Sequence, residues 1–392
     1  MLRMPPIVTW ESTRFPRRTK ICCSLRDDSD YMRQCVELAR RGLGRTSPNP
    51  MVGCLIVDNA GEIVGRGFHP RAGEPHAEVF ALREAGSKAH GSTAYVSLEP
   101  CDHVGRTPPC SRALVAARVR RVVVGTVDPN PLVAGKGVER LRRAGVEVTV
   151  GVEEELCRVT NEAFFHRMVT KKPFTCLRYA MTIDGCLLAD PSTPVAASFY
   201  SQQLEEYDAV VTTEASLDAD PVLLSAEQGA KQPLRVVAVT SSSSLSKLAG
   251  LLSARVFDTK LAPTLLVMDQ QSLVEDVTKQ LGGKGESIET VLRRKNVEVV
   301  PVNEVDLDSV LDLCNQRGAC SVLLDSTAGF DMLGVKEALE DEDRAVIQKL
   351  CVVVGPFAGG GQSQKIASSM RKLGRLTTRK CGENVVIQGY FE

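Results

Sequence analysis

The chain has 392 residues, more than one ordinary hydrophobic core accommodates, which points to two domains. Hydrophobic residues make up 43% and charged residues 24%, and 48 basic side chains balance 48 acidic ones, so nothing suggests a broad electrostatic footprint for nucleic acid or membrane. No stretch reaches the ~20 apolar residues of a bilayer span, and thirteen cysteines, an odd number scattered along a long chain, argue against a secreted disulfide framework.

The first 26 residues hold Arg3, Arg14, Arg17, Arg18, Lys20 and Arg26 against one acid, Glu11. A basic, hydroxylated, acid-poor opening of this kind fits an organelle transit peptide, with a plain disordered tail as the alternative. From Ser29 to Gly42, Met32, Cys35, Val36 and Ala39 recur at helical spacing and predict an amphipathic helix. Met51 to Val57 and Glu62 to Phe68 read as antiparallel strands joined through Asp58 to Gly61.

Beyond them the pattern alternates: a helix from about His76 to Ala85, a strand at Thr93 to Leu98, a helix from about Cys110 to Arg118, a strand at Arg121 to Thr126, then another helix and a strand near Val146 to Val150. Strands alternating with helices predict an α/β layered domain covering residues 27–169. Lys171-Lys172-Pro173 opens a second α/β region, residues 170–392. Its strand signals are Ala209 to Thr212, Leu234 to Val239, Thr264 to Val267, Val297 to Val302, Cys320 to Leu324 and Leu350 to Val354. Ser241 to Ser244 reads as a turn, and Gly282 to Gly285 as a loop before a helix.

Of only five histidines in the chain, His69, His76, His90 and His103 share one window with Cys101 and Cys110. His76, Cys101 and Cys110 offer one imidazole and two thiols from two helix-starting loops, and three protein ligands leave a fourth zinc position open. A zinc with an open position lowers the pKa of its water to around 7, and Glu78, two residues from a ligand, is placed to shuttle the proton to a departing amine. Residues two apart on a regular helix diverge, so His76 and Glu78 converge only in an irregular first turn, which Pro75 favours. Pro108 and Pro109 likewise place Cys110 at a helix start, where free amides favour thiolate. The alternative is buried cysteines beside a surface histidine.

These residues fall in longer motifs: SPNPMVG from Ser47, HPRAGEPHAE from His69 to Glu78, EPCDHVGRTPPC from Glu99 to Cys110, and DPNPLVAGKG from Asp128 to Gly137. Together they resemble the riboflavin-pathway deaminases, often fused to a reductase. The resemblance implies a cytidine-deaminase-like α/β/α domain that uses Zn2+ to release ammonia from 2,5-diamino-6-(ribosylamino)-pyrimidin-4-one 5′-phosphate. It further implies that Asn49 and His69 line the substrate pocket, and that Arg106, Asp128 and Asn130 hold the ribosyl phosphate portion and neighbouring polar groups. Arginine suits phosphate through its paired donors. Each also has a structural reading: Asn49 as a turn residue, His69 as a strand-end polar tip, Arg106 as a solvated loop charge, Asp128 and Asn130 as Asx-turn formers. Glu99 reads either as support for the metal or as a satisfied carboxylate beside a turn, and His90 and His103 as surface positions.

The second region resembles the family's reductase, which has a dihydrofolate-reductase-like fold and uses NADPH, but the match is eroded. Arg178 precedes the opening motif Ala180 to Gly185 where the family usually has lysine, and Leu324-Asp325-Ser326-Thr327 stands near an expected glycine-rich phosphate-binding turn. Asp220-Pro221 and Gly359 to Gly361 remain suggestive. Losing glycines obstructs the close approach of backbone amides to phosphate and so should hinder cofactor binding, and this domain is expected to be catalytically inactive. An intact deaminase joined to an eroded reductase resembles the plant branch of the family, monofunctional diaminohydroxyphosphoribosylaminopyrimidine deaminases of the plastid stroma. The second domain is then expected to serve as a structural partner or homodimer contact. Two rival readings are a bifunctional deaminase-reductase and a non-catalytic scaffold stabilised by zinc. A nucleic-acid editing deaminase lacks its basic stripe and aromatic platform here.

Overall fold

A computed structural model describes residues 27–103, 108–131, 133–188, 194–225, 229, 231–240, 248, 250–274, 287–326, 333–341, 344–359 and 371–392. The basic opening segment, Arg106, Thr327, Gly360, Gly361 and the turns at 241–244 and 282–285 lie outside them.

Helix α1 (Asp28–Ala39) starts where the Asp27 side chain accepts the backbone N–H of Asp30 at 2.8 Å, and it buries Tyr31, Met32, Cys35, Val36, Leu38 and Ala39. Strands β1 (Gly53–Val57) and β2 (Ile63–Phe68) pair antiparallel. The turn between them is closed by Asp58, whose Oδ1 accepts from the backbone of both Ala60 and Glu62. Strand β3 (Thr93–Leu98) runs antiparallel to β1, while β4 (Arg121–Thr126) and β5 (Glu147–Val150) continue parallel, giving the order β2-β1-β3-β4-β5.

Alternate strand residues feed opposite faces of this sheet. Cys54, Ile56, Ala94, Val96, Val122 and Val124 pack with helices α2 (Ala77–Ala85), α3 (Cys110–Ala116) and α4 (Lys136–Arg143). Leu55, Val57, Tyr95 and Val123 pack with α1 and with α5 (Glu154–Thr160). The expected α/β/α layering is present. Helix α2 approaches β2 without intervening side chains, because Ala77 and Ala81 face Gly65 and Gly67; a Cβ on Gly67 would lie 2.0 Å from the Ala77 carbonyl oxygen.

The sequence pattern did not reveal α5 or its successor α6 (Glu162–Thr170), which lead into the second sheet. That sheet comprises β6 (Phe174–Met181), β7 (Ala209–Thr213), β8 (Leu234–Ala238), β9 (Thr264–Asp269), β10 (Glu298–Val302), β11 (Ser321–Asp325), β12 (Lys349–Val354), β13 (Leu373–Cys381) and β14 (Asn384–Phe391). Among the described residues its order is β10-β9-β8-β7-β11-β6-β12-β14-β13, parallel from β10 to β12 and antiparallel at the β14-β13 end. Apolar clusters cover both faces. Strands β6, β13 and β14 were not anticipated: β6 carries the charged Arg178 in its centre, and β13, LGRLTTRKC, is largely exposed.

The two sheets are tied by polar contacts from the α5–α6 segment. Lys349 Nζ meets Glu162 Oε1 at 2.9 Å, Tyr390 OH donates to the other oxygen of Glu162, and Arg167 donates to the carbonyls of Gly318 and Ala319, both at 2.8 Å.

Candidate active site

The site sits where β2, β3 and β4 hand over to their following segments. His76 is the N-cap of α2, with extended backbone at φ −75° and ψ 165°, so it stands outside the regular helix and Glu78 follows in the first turn. Cys110 is the first residue of α3, with Pro109 as N-cap. Cys101 follows β3, and the backbone N–H of Cys110 donates to its Sγ at 3.4 Å. His76 Nδ1 lies 3.6 Å from Cys101 Sγ and 3.4 Å from Cys110 Sγ, and all three ligand atoms fall within 4.8 Å of one another.

One imidazole nitrogen and two sulfurs at this mutual spacing suit a tetrahedral zinc, whose bonds run about 2.0–2.3 Å. The Cys110 thiol, His76 and the Cys110 backbone N–H hold the Cys101 thiol well below the ordinary thiol range, despite burial. The first thiolate of the pair is therefore already favoured, and a cation between the sulfurs would favour the second. The hydrogen bond to Cys101 likewise raises His76.

Glu78 is 3% exposed, and its Oε2 has no hydrogen-bond partner. A buried, orphaned carboxylate oxygen is costly unless a group absent from the chain occupies the space beside it, and a water on the open zinc position fits. Burial raises the Glu78 carboxyl to about 6, against the pull of His76. Glu78 can therefore hold and release a proton near neutrality.

His69, also buried, stands edge-on to His76 with ring centroids 5.5 Å apart. Its Nδ1 is 3.1 Å from the Pro75 carbonyl, which can only accept, and its Nε2 is 3.2 Å from Asn49 Nδ2, which can only donate. The ring is thus the neutral Nδ1–H tautomer, and burial lowers its pKa in agreement. The structure brings Asn49 and His69 together beside the His–Cys–Cys cluster.

Asp128 and Asn130 occupy the loop after β4. Asp128 Oδ1 accepts the Asn130 backbone N–H at 2.8 Å, so the Asx-turn reading of Asp128 holds as a local fact, and burial raises its carboxyl. The organiser of this loop is Glu99. Its buried carboxylate accepts backbone N–H groups of Asp128 (3.2 Å), Gly135 (2.9 Å), Gly137 (2.9 Å) and Val138 (3.1 Å). It caps α4 and anchors the segment next to Cys101, which favours the satisfied-carboxylate reading. His90 and His103 are exposed. Arg106 lies outside the described residues.

Residues 25–126 match the cytidine and deoxycytidylate deaminase zinc-binding region. The riboflavin biosynthesis protein PYRD, chloroplastic, of Arabidopsis thaliana is 43% identical over 372 residues, covering 93% of this chain and 83% of that protein. The chain belongs to the riboflavin biosynthesis deaminase family. Among solved structures, RibD of Acinetobacter baumannii aligns with a TM-score of 0.73 and 30% identity over 93% of this chain and 99% of its own. A diaminohydroxyphosphoribosylaminopyrimidine deaminase/5-amino-6-(5-phosphoribosylamino)uracil reductase of Thermotoga maritima does so with a TM-score of 0.73 and 26% identity, over 93% and 99%. Zinc is the metal of this family's deaminase site, and the cluster in this chain has the donors for it.

In the second domain, two of the residues that depart from the expected pattern meet. Arg178 on β6 donates to both carboxylate oxygens of Asp325 on the adjacent β11, at 3.3 and 2.9 Å. Arg178 also donates to the Tyr200 carbonyl and Gln203 Oε1, and its guanidinium lies 4.2 Å from the Tyr200 ring centroid. Both charges are almost fully buried, 1% and 5% exposed.

Proposed function

We propose that this chain hydrolyses the ring amino group of 2,5-diamino-6-(5-phosphoribosylamino)pyrimidin-4(3H)-one, releasing ammonia and leaving 5-amino-6-(5-phosphoribosylamino)uracil. The observation that carries this reading is the orphaned, buried Oε2 of Glu78 beside the His76–Cys101–Cys110 cluster. Those three residues would hold the zinc, which supplies a Lewis acid that brings a water's pKa to around 7. Glu78 takes the proton from the attacking water and delivers it to the amine as the carbon–nitrogen bond breaks. Neutral His69 fixes the Asn49 amide, whose remaining hydrogen-bonding capacity is left for the pyrimidine, while the Glu99-anchored loop presents Asp128 and Asn130 and Arg106 serves the phosphate.

Residues 27–169 form the deaminase domain in this reading, and residues 170–392 a reductase-like domain without reductase activity. The buried pairing of Arg178 with Asp325 supports the second assignment, since neither charge is free to meet a cofactor phosphate or a sugar. The chloroplastic relative supports a plastid address reached through a transit peptide in residues 1–26. No helix among the described residues is long and apolar enough to cross a membrane. A homodimer through the second domain completes the reading, with the exposed end strand β13 as its surface; a monomer in sedimentation equilibrium would remove that part.

Replacing Glu78 by Gln tests the mechanism. Zinc content should stay at one per chain, while ammonia release falls by ~10²–10⁴-fold, the usual contribution of a positioned acid-base group. A Glu78→Gln protein that binds zinc and turns over at the parent rate would overturn the assignment.

A further inference from the structure

The segment that presents Asn49 is held from three directions. On the site side Asn49 Nδ2 donates to His69 Nε2. From the junction of the two sheets, Asn161, buried between α5 and α6, accepts the Met51 N–H at 2.7 Å and donates to the Met51 carbonyl at 2.8 Å. From the second sheet, Asp208, at the start of β7, accepts the Ser47 hydroxyl at 2.7 Å through Oδ2.

Asp208 is itself built in. The same Oδ2 accepts the Cys320 backbone N–H at 2.8 Å, Ser321 Oγ stands 3.5 Å away, and Lys231 approaches Oδ1 at 3.6 Å. Its own backbone N–H donates to Ser321 Oγ at 3.0 Å. The side chain is 9% exposed, so the carboxylate is fixed by its own domain before Ser47 reaches it. Nearby, Gly44 packs on the same domain: a Cβ there would meet the Glu205 carbonyl oxygen at 3.1 Å. These contacts line a cavity of about 440 Å³ between the sheets, with Asn49 on one wall and Asp208 on another.

We propose that Asp208 of the reductase-like domain is a positioning residue for the deaminase: by holding Ser47 it sets the place of Asn49 and hence the affinity for the pyrimidine. The inference rests on the reading of Asn49 as a substrate contact. It gives the second domain a function in the reaction that requires no cofactor chemistry of its own. A hydrogen bond to a fixed carboxylate restricts a loop more than one to water does, because the acceptor cannot follow the loop when it moves.

The test uses the full chain with zinc and compares Ser47→Ala, Ser47→Thr, Asp208→Ala and the Ser47→Ala/Asp208→Ala double variant. Ser47→Ala and Asp208→Ala should each raise KM about tenfold, the loss of one charge-assisted bond partly transmitted to the site, with kcat within about twofold. The double variant should be no worse than the worse single one, as expected of partners in one contact. Ser47→Thr should restore the parent KM. Ser47→Ala leaves Asp208 its own domain's donors and so keeps the test valid if Asp208→Ala fails to fold.

A second readout is independent of turnover. Amide hydrogen exchange at Asn49 and Met51 should accelerate in Ser47→Ala while exchange in α2 and α3 stays at the parent rate. If the parent chain does not deaminate the pyrimidine, the proposed function fails and exchange alone decides the positioning. Unchanged exchange, unchanged KM in Ser47→Ala, or additive effects in the double variant would overturn it.

Discussion

Gly67→Ala adds a single methyl group at the tightest approach between the zinc-bearing helix and its sheet. Gly67 is buried on β2, and its new Cβ would lie 2.0 Å from the Ala77 carbonyl oxygen and 2.7 Å from the Ala81 nitrogen, both backbone atoms of α2. Backbone cannot rotate out of the way as a side chain can. Reaching an ordinary 3.4 Å contact requires the helix and strand to part by about 1.4 Å. Overpacking of this kind costs about 1–3 kcal/mol of stability, little relieved by the few tenths gained from restricting the unfolded chain. The functional effect is the larger one, because α2 carries His76 and Glu78 while Cys101 and Cys110 ride on other segments. A misplacement near 1 Å at a reacting group costs on the order of 10²-fold in rate. We therefore expect Gly67→Ala to fold, to melt at lower denaturant concentration, to hold zinc more weakly in competition with a chelator, and to release ammonia about 10²-fold more slowly at saturating zinc. A variant with parental zinc affinity and kcat within about twofold would refute the claim that this contact sets the geometry of the site.

Glu99→Gln should destabilise the chain by about 2 kcal/mol in denaturant unfolding, because an amide NH2 would face backbone N–H donors that the carboxylate now accepts. Arg178→Met should cost about 3–5 kcal/mol by stranding Asp325, whereas Arg178→Met with Asp325→Leu should recover most of the loss, measured as midpoint shifts in the same assay. Asp28 contributes a pH dependence: burial alone would raise its carboxyl, but hydrogen bonds from Arg121 and Tyr95 outweigh this and hold it below the ordinary 3.8. A depressed folded-state pKa gives stability that is present above 3.8 and lost as pH falls through the folded value, so the advantage of the parent over Asp28→Asn should shrink below that pH.

The deaminase half was more legible than the reductase-like half for physical reasons. Strands β3 and β4 are short apolar runs bounded by helical patterns, and they fall on their expected limits. His76, Glu78, Cys101 and Cys110 carry chemistry in residue types that seldom cluster by chance, and the prolines before two of them mark the helix starts. Helices α5 and α6 bury little, with Cys157 the one buried residue of α5 and none in α6, so their periodicity is weak. Their function lies instead in Asn161, Glu162 and Arg167, whose partners are over a hundred positions away. Arg178 and Asp325 were each visible as departures from a family pattern. Their pairing across 147 positions became apparent only when β6 and β11 stood side by side, although a lone charge inside an apolar strand such as FTCLRYAM already demands a buried partner. Glu99 was ambiguous in sequence because the four amides that bind it are backbone groups, which leave no mark beyond the glycines at 135 and 137.

The most direct measurement is mass-resolved analysis of the product formed when the zinc-loaded full chain is incubated with the diaminopyrimidine ribosyl phosphate and NADPH. The account predicts a product in which one amino group has been exchanged for oxygen, with ammonia in equal amount, NADPH unconsumed and no hydrogens added to the ribose. Product that has also gained two hydrogens would contradict the inactive second domain, and unchanged substrate would contradict the deaminase assignment itself.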